Sequence, residues 1–239
     1  MQTSEHGAVA VEVPPTDSLV VTLIAAAACA AGVVFAVYAG GFWDSLRSEP
    51  LALVAFLAAG GFLQLRVIEV PDQGAVSFAS VAMLGAAFAL GTGAGMAVAI
   101  AAAVVRLAAS RGRVDRALFD AANLALSTAT AAATFHVVHA IDQQPNDRFG
   151  PSFFAAAVFY VVNVGLLSAA MGLAEGRSAR RILRERFLWL APWMLAAGPF
   201  ASVMVVVYDR IGVLGIVALA IAPGVLVTPV RQHMSFRRD

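Results

Sequence analysis

The chain has no lysine: all sixteen of its basic residues are arginine. It has one cysteine, so no disulfide can form within it, and Cys29 falls inside an apolar run as a small packing residue. Only 13% of the 239 residues are charged, about half the share usual in soluble domains. A net charge of +1 points to no polyanionic partner. Catalytic signatures are missing as well. There is no Gly-x-Ser-x-Gly elbow, no His-Glu-x-x-His, no phosphate loop and no Cys-x-x-Cys. Gly91, Gly93 and Gly95 lack the preceding strand that a dinucleotide fingerprint needs. The expectation is a protein without enzymatic activity and without a cofactor. Residues 1–17 contain Glu5, Glu12 and Asp17 but no lysine or arginine, which excludes the basic start of a signal peptide.

What the chain has instead is apolar sequence: 60% of it, with a mean hydropathy of +0.82. A soluble core of this size could not hide that much apolar surface, whereas a bilayer favours it as the exterior. Apolar runs bounded by turn or charge signals read as helices at Leu19–Gly41, Leu51–Leu65, Ala75–Leu90, Gly95–Ala109, Ala117–Ile141, Phe153–Leu173, Phe187–Tyr208 and Ile211–Val230. A spanning helix needs about 20 residues. The second, third and fourth runs fall short of that, and the third and fourth are joined by a tight glycine hairpin that either crosses twice or re-enters. The expected fold is all-α, a polytopic transmembrane bundle of about eight helices. A poorly ordered polar tail (1–17) precedes a single membrane domain (18–230), and a short basic tail (231–239) follows it.

Arginine placement sets the orientation. With the N-terminal tail numbered zero, thirteen arginines fall on even segments and three, Arg47, Arg148 and Arg210, on odd ones. The positive-inside rule then puts even segments and both termini in the cytoplasm of a bacterial inner membrane.

Polar residues inside apolar runs are the candidates for function. Asp120, Asn123, Ser127, Thr130 and Thr134 recur at spacings of three and four, which gathers them on about 80° of one helix face. With Asn163 on the sixth helix and Ser77 and Ser80 at the start of the third, this seam reads as a path for a solute, ion or proton. Helix packing is the simpler reading, since small and polar residues also line membrane interfaces. Asp120 is the one carboxylate inside these runs, about one turn from the cytoplasmic boundary. His136 and His139, at i, i+3, would need a third ligand to hold a metal, and Asp142 and Asp147 are the nearby acids. Water or headgroups facing the two histidines is the simpler account, so no metal site is expected. Arg177, Arg180, Arg181, Arg184 and Arg186 form a basic stretch suited to anionic lipid headgroups, worth about 1 kcal/mol each. A docking surface for a cytoplasmic partner is the alternative. Without stacking aromatics or a folded module, it does not suit nucleic acid. Pro192, Pro199, Pro223 and Pro229 should kink the last two helices.

Two segments also carry a family resemblance. Val76-Ser77-Phe78-Ala79-Ser80 leads into a Gly/Ala-rich helix, and Arg116-Ala117-Leu118-Phe119-Asp120-Ala121-Ala122-Asn123 follows later. Together they resemble the multi-helix membrane input modules that precede HD-GYP or GGDEF domains in bacterial cyclic-dinucleotide signalling. Residues 70–140 carry the likeness, and Asp120 stands where that family's pattern has Asn. The resemblance implies a non-enzymatic sensory module, here without its output domain, that signals through its last helix and the Arg231–Asp239 tail. The second expectation is a small-solute carrier, such as the substrate-binding membrane subunit of an energy-coupling transporter, with the seam lining its site. A structural component with no ligand is the third.

The arginine count yields a direct test. Reporter fusions at Gly112, at Gly176 and after Asp239 should all report a cytoplasmic location, and one at Asp147 the opposite side. Termini found on opposite sides would overturn the orientation.

Overall fold

In hydrocarbon, every backbone N–H and C=O must be satisfied within the protein, and a helix does this within one segment. The computed structural model describes residues 15–66, 68–70, 74–110, 113–142 and 147–222. It is a helical membrane bundle. In order come α1 (Pro15–Ser48), α2 (Pro50–Leu65), α3 (Ala79–Ala89), α4 (Thr92–Ser110), α5 (Val114–Asp142) and α6 (Phe149–Glu175). Two more follow, α7 (Ala179–Ile211) and α8 (Val213–Ala222). Five of the eight (α1, α4, α5, α6 and α7) are long and apolar enough to cross a bilayer. Arg111, Pro223, Pro229 and the expected basic tail with Arg231, Arg237 and Arg238 lie outside the described residues, as do residues 1–14.

Several boundaries depart from the sequence reading. α1 starts at Pro15, inside the expected polar tail, and continues to Ser48 rather than stopping at Gly41. Gly40 and Gly41 do not end it, because lipid offers a helix's backbone no competing hydrogen bonds. The third helix does not begin at Ala75. Gly74–Val76 forms a strand, β2, paired antiparallel with β1 (Ile68–Val70), with Ile68 opposite Val76. Ser77 sets the later start: its hydroxyl accepts from Ala79 N–H at 3.1 Å and donates to Gln64 Oε1 at 3.0 Å. A side-chain oxygen that satisfies an otherwise orphaned N–H marks a helix start. Between α3 and α4 the turn is shorter than the glycine run implied. Gly91 alone takes a positive φ (99°), and α4 is helical from Thr92.

α3 lies at the centre. Nine consecutive residues, Ala79 to Ala87, are buried, against α2, α4, α5 and α7. A helix apolar all round belongs in an interior. α1 lies at the edge: 11% of its apolar window is buried within the protein, against 50% for α4.

Contacts at the helix ends sort the junctions into two faces. On one face, Ser45 Oγ donates to the Leu90 carbonyl at 2.7 Å, Arg148 pairs with Asp209 at 2.7 Å, and Tyr208 hydrogen-bonds Glu49. These contacts join the α1/α2, α3/α4, α5/α6 and α7/α8 junctions, the odd loops of the sequence count. The arginine-rich even junctions lie at the other end of the bundle.

α7 is continuous but irregular. It passes from α geometry through a π turn (Leu183–Phe187) and a 3-10 turn (Leu188–Leu190) before α geometry resumes at Ala191. Pro192 lies just beyond, and a proline ring crowds the carbonyl one turn before it, which accounts for the tightened 3-10 turn.

Small residues let α6 and α7 approach closely. A Cβ on Gly198 would collide with the Ser152 carbonyl and come within 2.8 Å of Ala156 Cβ. Gly198→Val should therefore destabilise the bundle by about 1–3 kcal/mol. Gly165, with nothing within 4 Å of its own added Cβ, is the control. Thermal melts of the two valine variants test this, and equal melting temperatures would contradict it.

Candidate functional site

At the arginine-rich end the core gives way to a cavity of about 160 Å³. Its polar wall comes from five helices: Gln64 near the end of α2, Ser77 and Ser80 at the start of α3, Arg106 in the last turns of α4, Asp120 and Asn123 in the first turns of α5, and Asn163 in the middle of α6. Met83, Phe159 and Leu167 contribute apolar wall. α7 adds Phe187, Leu190 and Met194 from its irregular stretch and the turn after it. The cavity follows from helix length. α2 has 16 residues and α3 has 11, rises of about 24 Å and 16 Å against a core near 30 Å. Both stop short at the arginine-rich end, where longer neighbours continue around the gap.

Asn123 is the best-held polar group. Its Nδ2 donates to Asn163 Oδ1 at 2.7 Å and to the Asn163 main-chain carbonyl at 3.1 Å. A carbonyl accepts only, so it fixes which end of the amide faces α6. The Asn123 Oδ1 is thereby left buried with no donor. Asn123 itself is 3% exposed. Ser127, fully buried, donates to the Asn123 carbonyl at 2.7 Å. Asp120 is partly buried and, among the described residues, has no hydrogen bond or ion pair.

The seam of α5 divides along its length. Asp120 and Asn123 meet Asn163 at the cavity, whereas Thr130 is exposed and Thr134 half-exposed. Their hydroxyls turn back on their own helix, to the Leu126 and Thr130 carbonyls at 3.0 and 2.9 Å. A repeat of 3.5 residues drifts about 20° per heptad around a straight helix, so the two ends of this stripe face different neighbours.

The histidines are apart from this site. His139 stacks on Phe135 (5.8 Å, 8°), which itself stacks on Phe88 (4.0 Å, 15°). No third His, Cys, Asp or Glu gathers with them among the described residues. Asp147 caps α6 instead, accepting from Phe149 N–H at 3.0 Å. In the basic stretch, Arg181 pairs with Glu185 at 2.7 Å, Arg186 with Glu175 at 2.6 Å, and Arg177 with both acids. Arg180 and Arg184 are exposed and have no ion pair among the described residues, so they are the two open to headgroups.

Two lining residues were missed in the sequence. Arg106 serves in the sequence only as a topological marker, yet it lies inside α4 four residues before its end, a second charge within a membrane segment beside Asp120. Gln64 is the one amide in the second apolar run, and that isolation was its signal. Comparison with family models, curated proteins and solved structures finds no match to this chain.

A double-mutant cycle measures the Asn123–Asn163 pair. Replacing each with Ala, singly and together, should give a coupling of about 0.6–1.7 kcal/mol in melts of the bilayer-reconstituted protein. Thr130→Val should stay within about 0.5 kcal/mol of wild type. Zero coupling would show that the bond does not hold α5 to α6.

Proposed function

We propose that this chain is a non-enzymatic integral membrane protein of a bacterial cytoplasmic membrane that binds a small polar solute in the cavity. It acts as a carrier or as the substrate-binding membrane subunit of an energy-coupling-type transporter. The observation that carries the reading is the convergence of Asp120, Asn123 and Asn163 on one cavity in an otherwise apolar bundle. Leaving a buried acceptor such as Asn123 Oδ1 unpaired costs about 1–3 kcal/mol, and an apolar filling would be more stable. A solute that donates to it offsets that cost. The positive-inside rule turns the cavity end and both termini toward the cytoplasm, where Arg180 and Arg184 meet anionic headgroups or a partner subunit.

A second reading, the sensory input module suggested by the sequence resemblance, is favoured by α7. Its π and 3-10 turns lie between the cavity wall and the basic stretch. Single π turns often sit at functional sites. A solute that reorders Phe187 and Leu190 would displace the Arg177–Arg186 segment, the place for a cytoplasmic output partner.

The test is thermal melting of the protein in nanodiscs across a panel of amino acids, amines, carboxylates, sugars and single-ring heterocycles. A solute at a hundred times its Kd adds about 2.7 kcal/mol, a rise of roughly 5–10 °C for a chain of this size. At least one panel member should produce it, and Asn123→Leu should abolish it. No shift in wild type, or an equal shift in the variant, would refute solute binding at this site. Uptake of that solute into proteoliposomes separates carrier from sensor.

A further inference from the structure

Arg106 and Asp120 carry opposite charges and line the same cavity, yet no N–O distance between them falls within 4.0 Å. Neither has an ion pair with any other described residue. An exposed cation at the rim and a partly buried anion further in, left apart, suit a ligand that carries both signs. We propose that the solute is a small zwitterion of the α-amino acid class, an assignment that rests on the solute-binding reading above. Its ammonium lies between the Asp120 carboxylate and Asn123 Oδ1. Its carboxylate lies against Arg106 and the N-terminal turn of α3.

Each end has a second observation behind it. At the cation end, Asn123 Oδ1 is a buried acceptor without a donor, and a three-donor ammonium supplies one while keeping another for Asp120. At the anion end, α3 presents the positive end of its dipole at Ser77 and Ser80. The Ser80 side chain is 7% exposed, and its hydroxyl has no partner among the described residues. Half-length membrane helices commonly place such an N-terminus against a substrate carboxylate.

Size and wall narrow the class. A cavity of 160 Å³ takes a molecule about the size of a benzene ring, roughly six to eight non-hydrogen atoms. Met83, Phe159 and Met194 leave apolar wall for a short side chain. A simple amine would leave Arg106 unopposed, and a simple carboxylate would face Asp120.

Binding of radiolabelled glycine, L-alanine, L-serine and L-proline to the full chain in nanodiscs tests the assignment. For the amino acid that binds best, the matching amine and matching acid should each bind at least tenfold more weakly. Trimethylglycine, which keeps both charges but has no N–H, should also lose tenfold. Arg106→Gln should weaken the amino acid tenfold or more and leave the amine within twofold. Asp120→Asn should do the same relative to the acid, and Thr130→Val should change nothing. Arg106 is exposed, so its variant carries the test if Asp120→Asn fails to fold. If a neutral heterocycle or lone amine binds in an Asn123-dependent way and no amino acid does, the zwitterion assignment is wrong and solute binding stands. If no panel member binds, both are wrong.

Discussion

Helix length against bilayer thickness is the constraint on which the rest of this structure depends. A helix of 11 residues rises about 16 Å, and hydrocarbon tolerates its exposed ends nowhere. α3 survives because it is enclosed on every side, so its ends meet protein rather than lipid. Its shortness, together with that of α2, leaves a gap that the longer α4, α5, α6 and α7 surround. The cavity is that gap. Its position at one end follows from where the short helices stop, and its polarity follows in part from what must satisfy them: the Ser77 hydroxyl accepts from Ala79 N–H at the start of α3 and reaches the Leu63 carbonyl and Gln64 Oε1 at the end of α2.

Around the gap, cohesion comes from close approach rather than from large side chains. Ala82, Ala86, Ala99, Ala131, Ala156 and Ala201 dominate the buried core, joined by Phe56, Phe135 and Phe159. Lipid tails are as apolar as these residues, so association depends on packing and a few cross-helix hydrogen bonds. Gly198 against Ser152 supplies the first and Asn123 to Asn163 the second. The serines and threonines of α5 that bond back to their own helix add little to either.

The architecture was legible because hydropathy and arginine position are long-range signals that need no partner. Eight helices and an alternating layout of junctions come from them. The ends were less legible: α1 runs on past its glycines, and α3 starts late because Gly74–Val76 pairs as a strand and Ser77 Oγ takes the Ala79 N–H. The site was half legible. Asn123 and Asn163 stand out as amides in apolar runs, but nothing in the chain announces that they bond to each other. Thr130 and Thr134 share their stripe by spacing, yet the slow drift of a 3.5-residue repeat carries them to another surface. Arg106 was hidden by being useful elsewhere, as a topological marker.

Thiol accessibility tests the central claim, an open cavity at the end of a half-length helix, most directly. In a Cys29→Ser background, Ser80→Cys places a thiol on the cavity wall, and Ala86→Cys places one in the packed part of the same helix. With a charged, membrane-impermeant methanethiosulfonate, Ser80→Cys should react in inside-out vesicles and not in right-side-out ones, while Ala86→Cys stays unreactive in both. A Ser80→Cys thiol that is inert from either side, or that reacts from the opposite face, would contradict the account.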